Sequence, residues 1–284
     1  MTYVAHQESL KFSSVEFKAF RDFLQEFAGI DLGDNKQYLV ASRVRRILTD
    51  HKCASLHDLT DMIKRPSQSL LRQIVIDAMT TNETFWFRDN YPYEYFRHSL
   101  LPEIVKKNGA GRTRIWSAAC SSGQEPYSIS MIIEEFLTAS PGVRDIPVEI
   151  VGTDLSSEIL DAARKGIYDR LSIVRGLSDI RLRNFFEPQP NDKWMVKSQI
   201  KKRVNYRPLN LKDSYVPLGK FDIVFCRNVL IYFSQDLKMD IIRRIHGTLK
   251  PGGYLFLGAS EGLTNAKDIF EMVSCNPGAV YRAL

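Results

Sequence analysis

Apolar residues recur at helical spacing through the first third of the chain. Phe17, Phe20, Leu24 and Phe27 mark one helix. Ser13-Ser14-Val15-Glu16 precedes it as a capping box, in which a serine and a glutamate three residues on exchange side-chain-to-backbone hydrogen bonds. Gly29 is placed to end it. A second helix is expected from Lys36 to Lys52, with Val40, Val44, Ile47 and Leu48 on one face and Arg43 and Arg46 together on another. Shorter helical segments follow at Leu56 to Lys64 and Ser69 to Thr80, divided by Pro66. No strand pattern occurs before about residue 112.

From Arg112 onward the period changes. Short β-rich runs alternate with helical ones: Arg114 to Ala118 then a helix from Glu125, Val148 to Thr153 then a helix from Ser156, and Phe221 to Cys226 then a helix from Ser234 to Lys250. Pro251-Gly252-Gly253 reads as a turn into a strand from Tyr254 to Gly258. Phe270 to Ser274 and Ala279 to Leu284, flanking Asn276-Pro277-Gly278, read as a closing hairpin. This alternation predicts an α/β fold, a Rossmann-like parallel sheet with crossover helices behind a small all-α domain. The expected domains are 1–80, helical; 81–111, a junction; and 112–284, the sheet domain. Pro188 to Arg203 exceeds what the alternation needs and reads as a small β insertion.

Composition narrows the class. With 284 residues, 44% hydrophobic and 25% charged, the chain can bury a sizeable core. Met1 to Leu10 is mixed and polar, without the apolar stretch of an export signal. Phe221 to Phe233, the most apolar run, is interrupted by Asp222, Arg227 and Asn228 and is too short to span a bilayer. A cytoplasmic protein without membrane insertion is expected. Cys53, Cys120, Cys226 and Cys275 match no zinc or redox spacing and read as free, mostly buried thiols, so no metal site is expected. The net charge of +6 all falls after residue 90, and 193–212 carries seven basic residues and no acid. Such a run is usually a solvated face, and can also attract an acidic partner or nucleic acid.

Two strand ends carry candidate chemistry. The first runs into Ser117-Ala-Ala-Cys-Ser-Ser-Gly-Gln-Glu125-Pro126, small residues that let backbone approach a ligand. It is neither a dinucleotide nor a P-loop fingerprint, and Glu125 at a helix N-terminus would repel a pyrophosphate. Alone, it can also be read as a plain strand–helix turn, the lesser of the two readings. The second ends in Gly152-Thr-Asp154, an acid where doubly wound sheets bind ribose hydroxyls. Together they point to a nucleoside-bearing cofactor without phosphates, S-adenosylmethionine. Asn210-Leu211, after a short strand Val204 to Tyr206, could frame an adenine edge. Arg227, Asn228 and Tyr232, beyond the strand ending at Cys226, would line the crevice, although Tyr232 fits core packing equally. Thr80 to Asp89 crowds polar and aromatic residues at the domain junction and, by itself, reads as a helix end and linker.

Thr80 to Asp89, Trp116 to Tyr127, Cys226 to Phe233 and Lys250 to Glu261, in this order, resemble the chemotaxis receptor glutamate O-methyltransferases, the CheR family, over the full length. The resemblance implies a helical N-terminal domain and a methyltransferase domain with an inserted β-subdomain, here about 188–206. It implies cofactor contacts at Asn82, Thr84, Arg88, Glu125, Asp154, Asn210, Leu211, Arg227 and Asn228. Members that capture a C-terminal receptor peptide carry glycines in the insertion. Pro188 to Arg203 has none, so the resemblance does not carry peptide capture to this chain.

The implied reaction is methyl transfer to glutamate carboxylates on the cytoplasmic methylation helices of methyl-accepting chemotaxis receptors, by a monomer, leaving S-adenosylhomocysteine. A glutamate, with a pKa of about 4.3, is already ionised at neutral pH, so no general base is required. Arg88 and Tyr232 are the candidates for orienting it, and Arg88 serves equally as a clamp on the cofactor's carboxylate. Two alternatives differ in class: a nucleic-acid methyltransferase, suggested by the basic run, and a non-catalytic cofactor-binding module. Cys226-Arg-Asn-Val229 lacks the Asn/Asp-Pro-Pro-aromatic pattern that holds a flipped base, so no nucleic-acid partner is expected.

Overall fold

The computed structural model describes residues 12–108, 111–140, 143, 147–263 and 265–284. The reading of Met1 to Leu10 lies outside the described residues. Two units divide the chain: Met1–Thr81 with Tyr232–Ser234, and Asn82–Ile231 with Gln235–Leu284. The segment expected as a junction, from Asn82 onward, therefore belongs to the second unit.

Among the described residues the first unit contains four α-helices: α1 (Ser14–Ala28), α2 (Gln37–Asp50), α3 (Leu56–Lys64) and α4 (Ser69–Met79). The capping box at α1 forms, with the Ser13 hydroxyl accepting the Glu16 N–H at 3.2 Å and the Glu16 carboxylate accepting the Ser13 N–H at 2.9 Å. Gly29 ends the helix in the left-handed region, φ 74°. Ser55 and Asp58 make a second capping box on α3. The core of this unit is Phe20, Phe23, Leu24, Val40, Val44, Leu56, Leu59, Ile63 and Val75. The two arginines expected on one side of α2 part company. Arg43 turns its guanidinium to the carbonyls of Met79 (2.7 Å) and Thr80 (2.9 Å), which the end of α4 leaves without helical partners. Arg46 stays exposed, 3.4 Å from Asp50 one turn on.

Among its described residues the second unit holds ten strands: β1 (Thr113–Ala118), β2 (Val148–Asp154), β3 (Ile167–Asp169), β4 (Phe186–Gln189), β5 (Lys193–Val196), β6 (Val204–Pro208), β7 (Phe221–Cys226), β8 (Leu249–Leu257), β9 (Phe270–Cys275) and β10 (Gly278–Ala283). Its helices are α5 (Tyr91–Tyr95), α6 (Leu101–Asn108), α7 (Gln124–Ala139), α8 (Ser157–Lys165), α9 (Arg170–Val174), α10 (Asp179–Phe185), α11 (Ser198–Lys201) and α12 (Gln235–Thr248). Seven strands make one sheet in the order β6-β2-β1-β7-β8-β10-β9. The first five are parallel, and the closing hairpin is antiparallel. This is the expected Rossmann-like sheet. The strand order reverses at β1, which opens the crevice in which such sheets bind ligands. Phe225 and Phe256 stack at 4.4 Å between ring centres within the core.

The small sheet departs from the expected 188–206. It is antiparallel, in the order β3-β5-β4, and begins at Ile167. Val204 to Tyr206 instead pairs with β2 in the main sheet. Asn191 and Asp192, both left-handed (φ 60° and 54°), turn β4 into β5 without glycine. Likewise α12 stops at Thr248, and the Pro251–Gly253 stretch lies inside β8.

The basic run does not form one solvated face. Arg203 is buried on Glu134 at 2.6 Å. Lys197 donates to the Asn184 carbonyl at 2.8 Å and Lys201 to the Lys165 carbonyl at 2.9 Å. All four cysteines are free, and all but Cys53 are buried. Among the described residues no helix is long and apolar enough to cross a membrane.

Candidate functional site

Register fixes the level at which the parallel strands end. Ala118 of β1 faces Thr153 of β2 and Cys226 of β7, Cys226 faces Leu257 of β8, and Asp154 faces Pro208 of β6. The next residues, Ala119, Leu209, Arg227 and Gly258, therefore leave the sheet along one rim, beside Asp154. Left-handed backbone concentrates here. Ala119, Ser121 and Asn228 have φ of 56°, 50° and 58°, and Phe87, Asp89 and Asn90, before α5, have φ of 51°, 66° and 52°. Such non-glycine conformations cost of order 1–3 kcal/mol each and persist where surrounding bonds enforce them.

Asp154 enforces the first of these. Its buried carboxylate accepts the N–H of Ser121 at 2.8 Å and of Ser156 at 3.0 Å, drawing the loop after β1 against the end of β2. The Ser121 hydroxyl donates to the Asn82 carbonyl at 2.9 Å. Gly123 permits the turn into α7 at φ 94°, and a Cβ there would stand 2.7 Å from the Tyr206 hydroxyl. Beneath the loop, the Tyr168 hydroxyl on β3 donates to the Ser122 carbonyl at 2.7 Å. Burial, and then the nearby Asp154 and Glu125 carboxylates, hold the Cys120 thiol well above its ordinary pKa, so it is neutral.

Arg227 joins three segments. Its guanidinium donates to Glu125 at 3.0 Å, to the Arg88 carbonyl at 2.7 Å and to Asp89 at 2.8 Å. Glu125 also accepts the Ser117 hydroxyl at 2.8 Å. The arginine side chain is only 2% exposed. Burial alone would lower its pKa, but Tyr93, Glu125 and Asp89 outweigh burial and raise it. The node thus holds two carboxylates against one cation, and Asp154 adds a third acid to the same rim.

Seven of the candidate positions fall along this rim or on the segment bonded to it. Glu125, Asp154 and Arg227 engage through their side chains, and Asn82 and Arg88 are tied in through their carbonyls. Asn228 stands at the loop after β7, and Thr84 is half-buried between Asn82 and Arg88. The Arg88 guanidinium lies 5.3 Å over the Phe85 ring and 3.3 Å from the Glu83 carbonyl. Asn210 and Leu211 follow Leu209, whose N–H is held by the Asp154 carbonyl at 2.9 Å. Asn210 closes a turn onto Lys212 N–H at 3.0 Å, and the buried Leu211 accepts the Tyr215 hydroxyl at 2.6 Å. Tyr232 is not among these groups. It falls in the Tyr232–Ser234 segment of the helical unit, where its carbonyl accepts the Asp31 N–H at 2.8 Å.

Two acids escaped the sequence reading, Asp89 and Glu261. A buried arginine demands carboxylate partners, so Arg227 called for a second one besides Glu125. Glu261, which ends the last of the four resembling segments, accepts the N–H groups of Asn228, Leu230 and Gly258 and anchors that loop.

The all-alpha domain of CheR methyltransferase matches residues 15–80, and the CheR methyltransferase SAM binding domain matches residues 82–279. The chain is 55% identical over 271 residues to chemotaxis protein methyltransferase 1 of Pseudomonas aeruginosa, covering 95% of this chain and 98% of that protein. It is 53% identical to chemotaxis protein methyltransferase Cher2 of Pseudomonas putida, with the same coverage. Chemotaxis protein methyltransferase 1 of Vibrio cholerae is 50% identical over 96% of this chain and 98% of its own length.

Proposed function

This chain belongs to the CheR methyltransferase family, and we propose that it esterifies glutamate side chains on the cytoplasmic methylation helices of chemoreceptors. Its reaction class, S-adenosylmethionine-dependent methyl transfer in chemotaxis, follows from that membership. The cofactor supplies a methyl group activated on a sulfonium cation.

The residues present fit that group. Three acids against one buried arginine favour a cation, and Glu125 in the first turn of α7 disfavours a phosphate. Asp154 would take the ribose hydroxyls, and Asn210 with Leu211 would border the adenine. Asn82, Thr84, Arg88, Glu125, Arg227 and Asn228 would surround the methionine end.

The acceptor carboxylate arrives ionised and needs orientation and loss of water rather than deprotonation. Arg88 is the proposed orienting cation, and Tyr232 the second candidate. The single observation that carries the reading is the Arg227 node. It binds the loop after β7, the start of α7 and the Asn82–Asp89 segment into one preorganised edge. The enzyme is proposed to act in the cytoplasm as a monomer.

Incubating the protein with methyl-labelled cofactor and either receptor-containing membranes or RNA tests this. Label is expected on the receptors, released as methanol by mild alkali. Label on RNA, or cofactor binding without transfer to either, would overturn it.

A further inference from the structure

Glu261 lies outside the contacts discussed for cofactor or acceptor, yet it commands the loop that follows β7. One carboxylate oxygen accepts the N–H of Asn228 at 2.7 Å and of Gly258 at 2.8 Å. The other accepts the N–H of Leu230 at 2.8 Å. A carboxylate is the only side-chain group that accepts at both ends at once, and bonds to an ionised acceptor are the strong ones. The same three bonds hold Asn228 in the left-handed region, φ 58°, which asparagine tolerates but does not prefer. Packing closes the arrangement from the other side. A Cβ at Gly258 would stand 2.6 Å from the Asn228 amide nitrogen and 2.8 Å from Glu261. Thus β8 ends in a glycine where Asn228 needs the space, and the loop beyond β8 returns a carboxylate to hold it.

We propose that Glu261 is a positioning residue for the cofactor site, acting by fixing the backbone at Asn228 and so the direction of the Asn228 amide. This rests on the reading of Asn228 as a cofactor contact, but not on the identity of the methyl acceptor.

A binding cycle separates the two. S-adenosylhomocysteine affinity is measured by calorimetry on the full chain for the parent, Glu261→Gln, Asn228→Ala and the double variant, with thermal unfolding alongside. In Glu261→Gln the amide must aim its NH2 at one or two of the three backbone donors, so the loop shifts while the volume is kept. Each single variant is expected to weaken binding at least tenfold. The double variant should fall within about twofold of the weaker single, because both act through one amide. Losses that multiply, parent-like affinity in a folded Glu261→Gln, or an Asn228→Ala variant that binds normally would each overturn the proposal. Should Glu261→Gln not fold, Gly258→Ala presses on the same amide, and the same cycle with Asn228→Ala decides. A purely structural glutamate would lower the melting temperature and leave the affinity of the folded protein unchanged. Failure of methyl transfer to receptors would leave this cycle untouched.

Discussion

Asp154 combines a role in the fold with its proposed role toward the cofactor. Its carboxylate holds the loop after β1 through Ser121 and starts the turn into α8 through Ser156. An acid so placed meets a ligand as an oriented acceptor, without reorganising on binding. Asp154→Ala is expected to weaken S-adenosylhomocysteine by about 1.5–3 kcal/mol, the usual worth of a hydrogen bond to a charged group. Calorimetry on the folded variant checks this, and unchanged affinity would remove Asp154 from the site. Arg227 shows the opposite case. It contributes by linking, and the carboxylates it links are themselves site candidates, so its removal would disturb several groups at once.

At the scale of elements, one hydroxyl ties the small sheet to the loop after β1. Tyr168, on β3, donates to Ser122 while its ring packs edge-on against Trp86 at 4.8 Å. Tyr168→Phe keeps the ring and deletes the bond. It should cost about 0.5–1.5 kcal/mol of loop order, read as a several-fold weaker affinity for S-adenosylhomocysteine with little change in melting temperature. A variant binding as tightly as the parent would confine Tyr168 to packing. Across the main sheet, Glu149 of β2 takes a 2.8 Å bond from Arg114 of β1, with Arg112 at 3.5 Å. Burial would raise its pKa, but Arg114 and Arg112 outweigh burial and lower it. A lowered carboxylate stabilises the fold above its unfolded pKa and loses that contribution as pH falls through the folded value. The melting-temperature gap between the parent and Glu149→Gln should therefore be constant from pH 5 to 7 and shrink below about pH 4, where the unfolded carboxyl titrates. A gap that held constant to pH 3 would contradict the assignment.

These elements also divide what was legible in the sequence from what was not. Both ends of α1, the bounds of α3 and β7, and the rim acids at Glu125 and Asp154 rest on local signals, caps and strand ends. The small sheet was misplaced because its strands are three or four residues long and β3 pairs with β5 across more than twenty residues. No local period announces such a pairing. Likewise Asp89 meets Arg227 across 138 residues, a proximity set by sheet order alone.

For the whole molecule, net charge is a poor guide to where a partner docks. The chain carries +6, and the 193–212 run suggested a basic face. Arg203, Lys197 and Lys201 instead spend their charge on Glu134 and on backbone carbonyls. On α2, Arg45 and Arg46 are exposed, the latter beside Asp50 at 3.4 Å, while Arg43 caps α4. Exposed arginines on a helix would suit the acidic methylation helices proposed as the substrate, because a helix lies readily against a helical bundle. Reversing Arg45 and Arg46 to Glu should slow receptor methylation by roughly tenfold or more at low salt, the scale of electrostatic steering. The effect should fade as salt screens charges beyond about 8–10 Å, and cofactor affinity should stay normal. Reversing the exposed Lys193 and Lys202 should do less. Arg43→Glu should instead lower the melting temperature, since it strips donors from the end of α4. With no glycine in the β4–β5 turn, removing the receptors' C-terminal tails should leave methylation intact. If the lysine reversals slow methylation more than the arginine pair does, or if tail removal abolishes it, the small sheet is the main receptor contact and α2 is not.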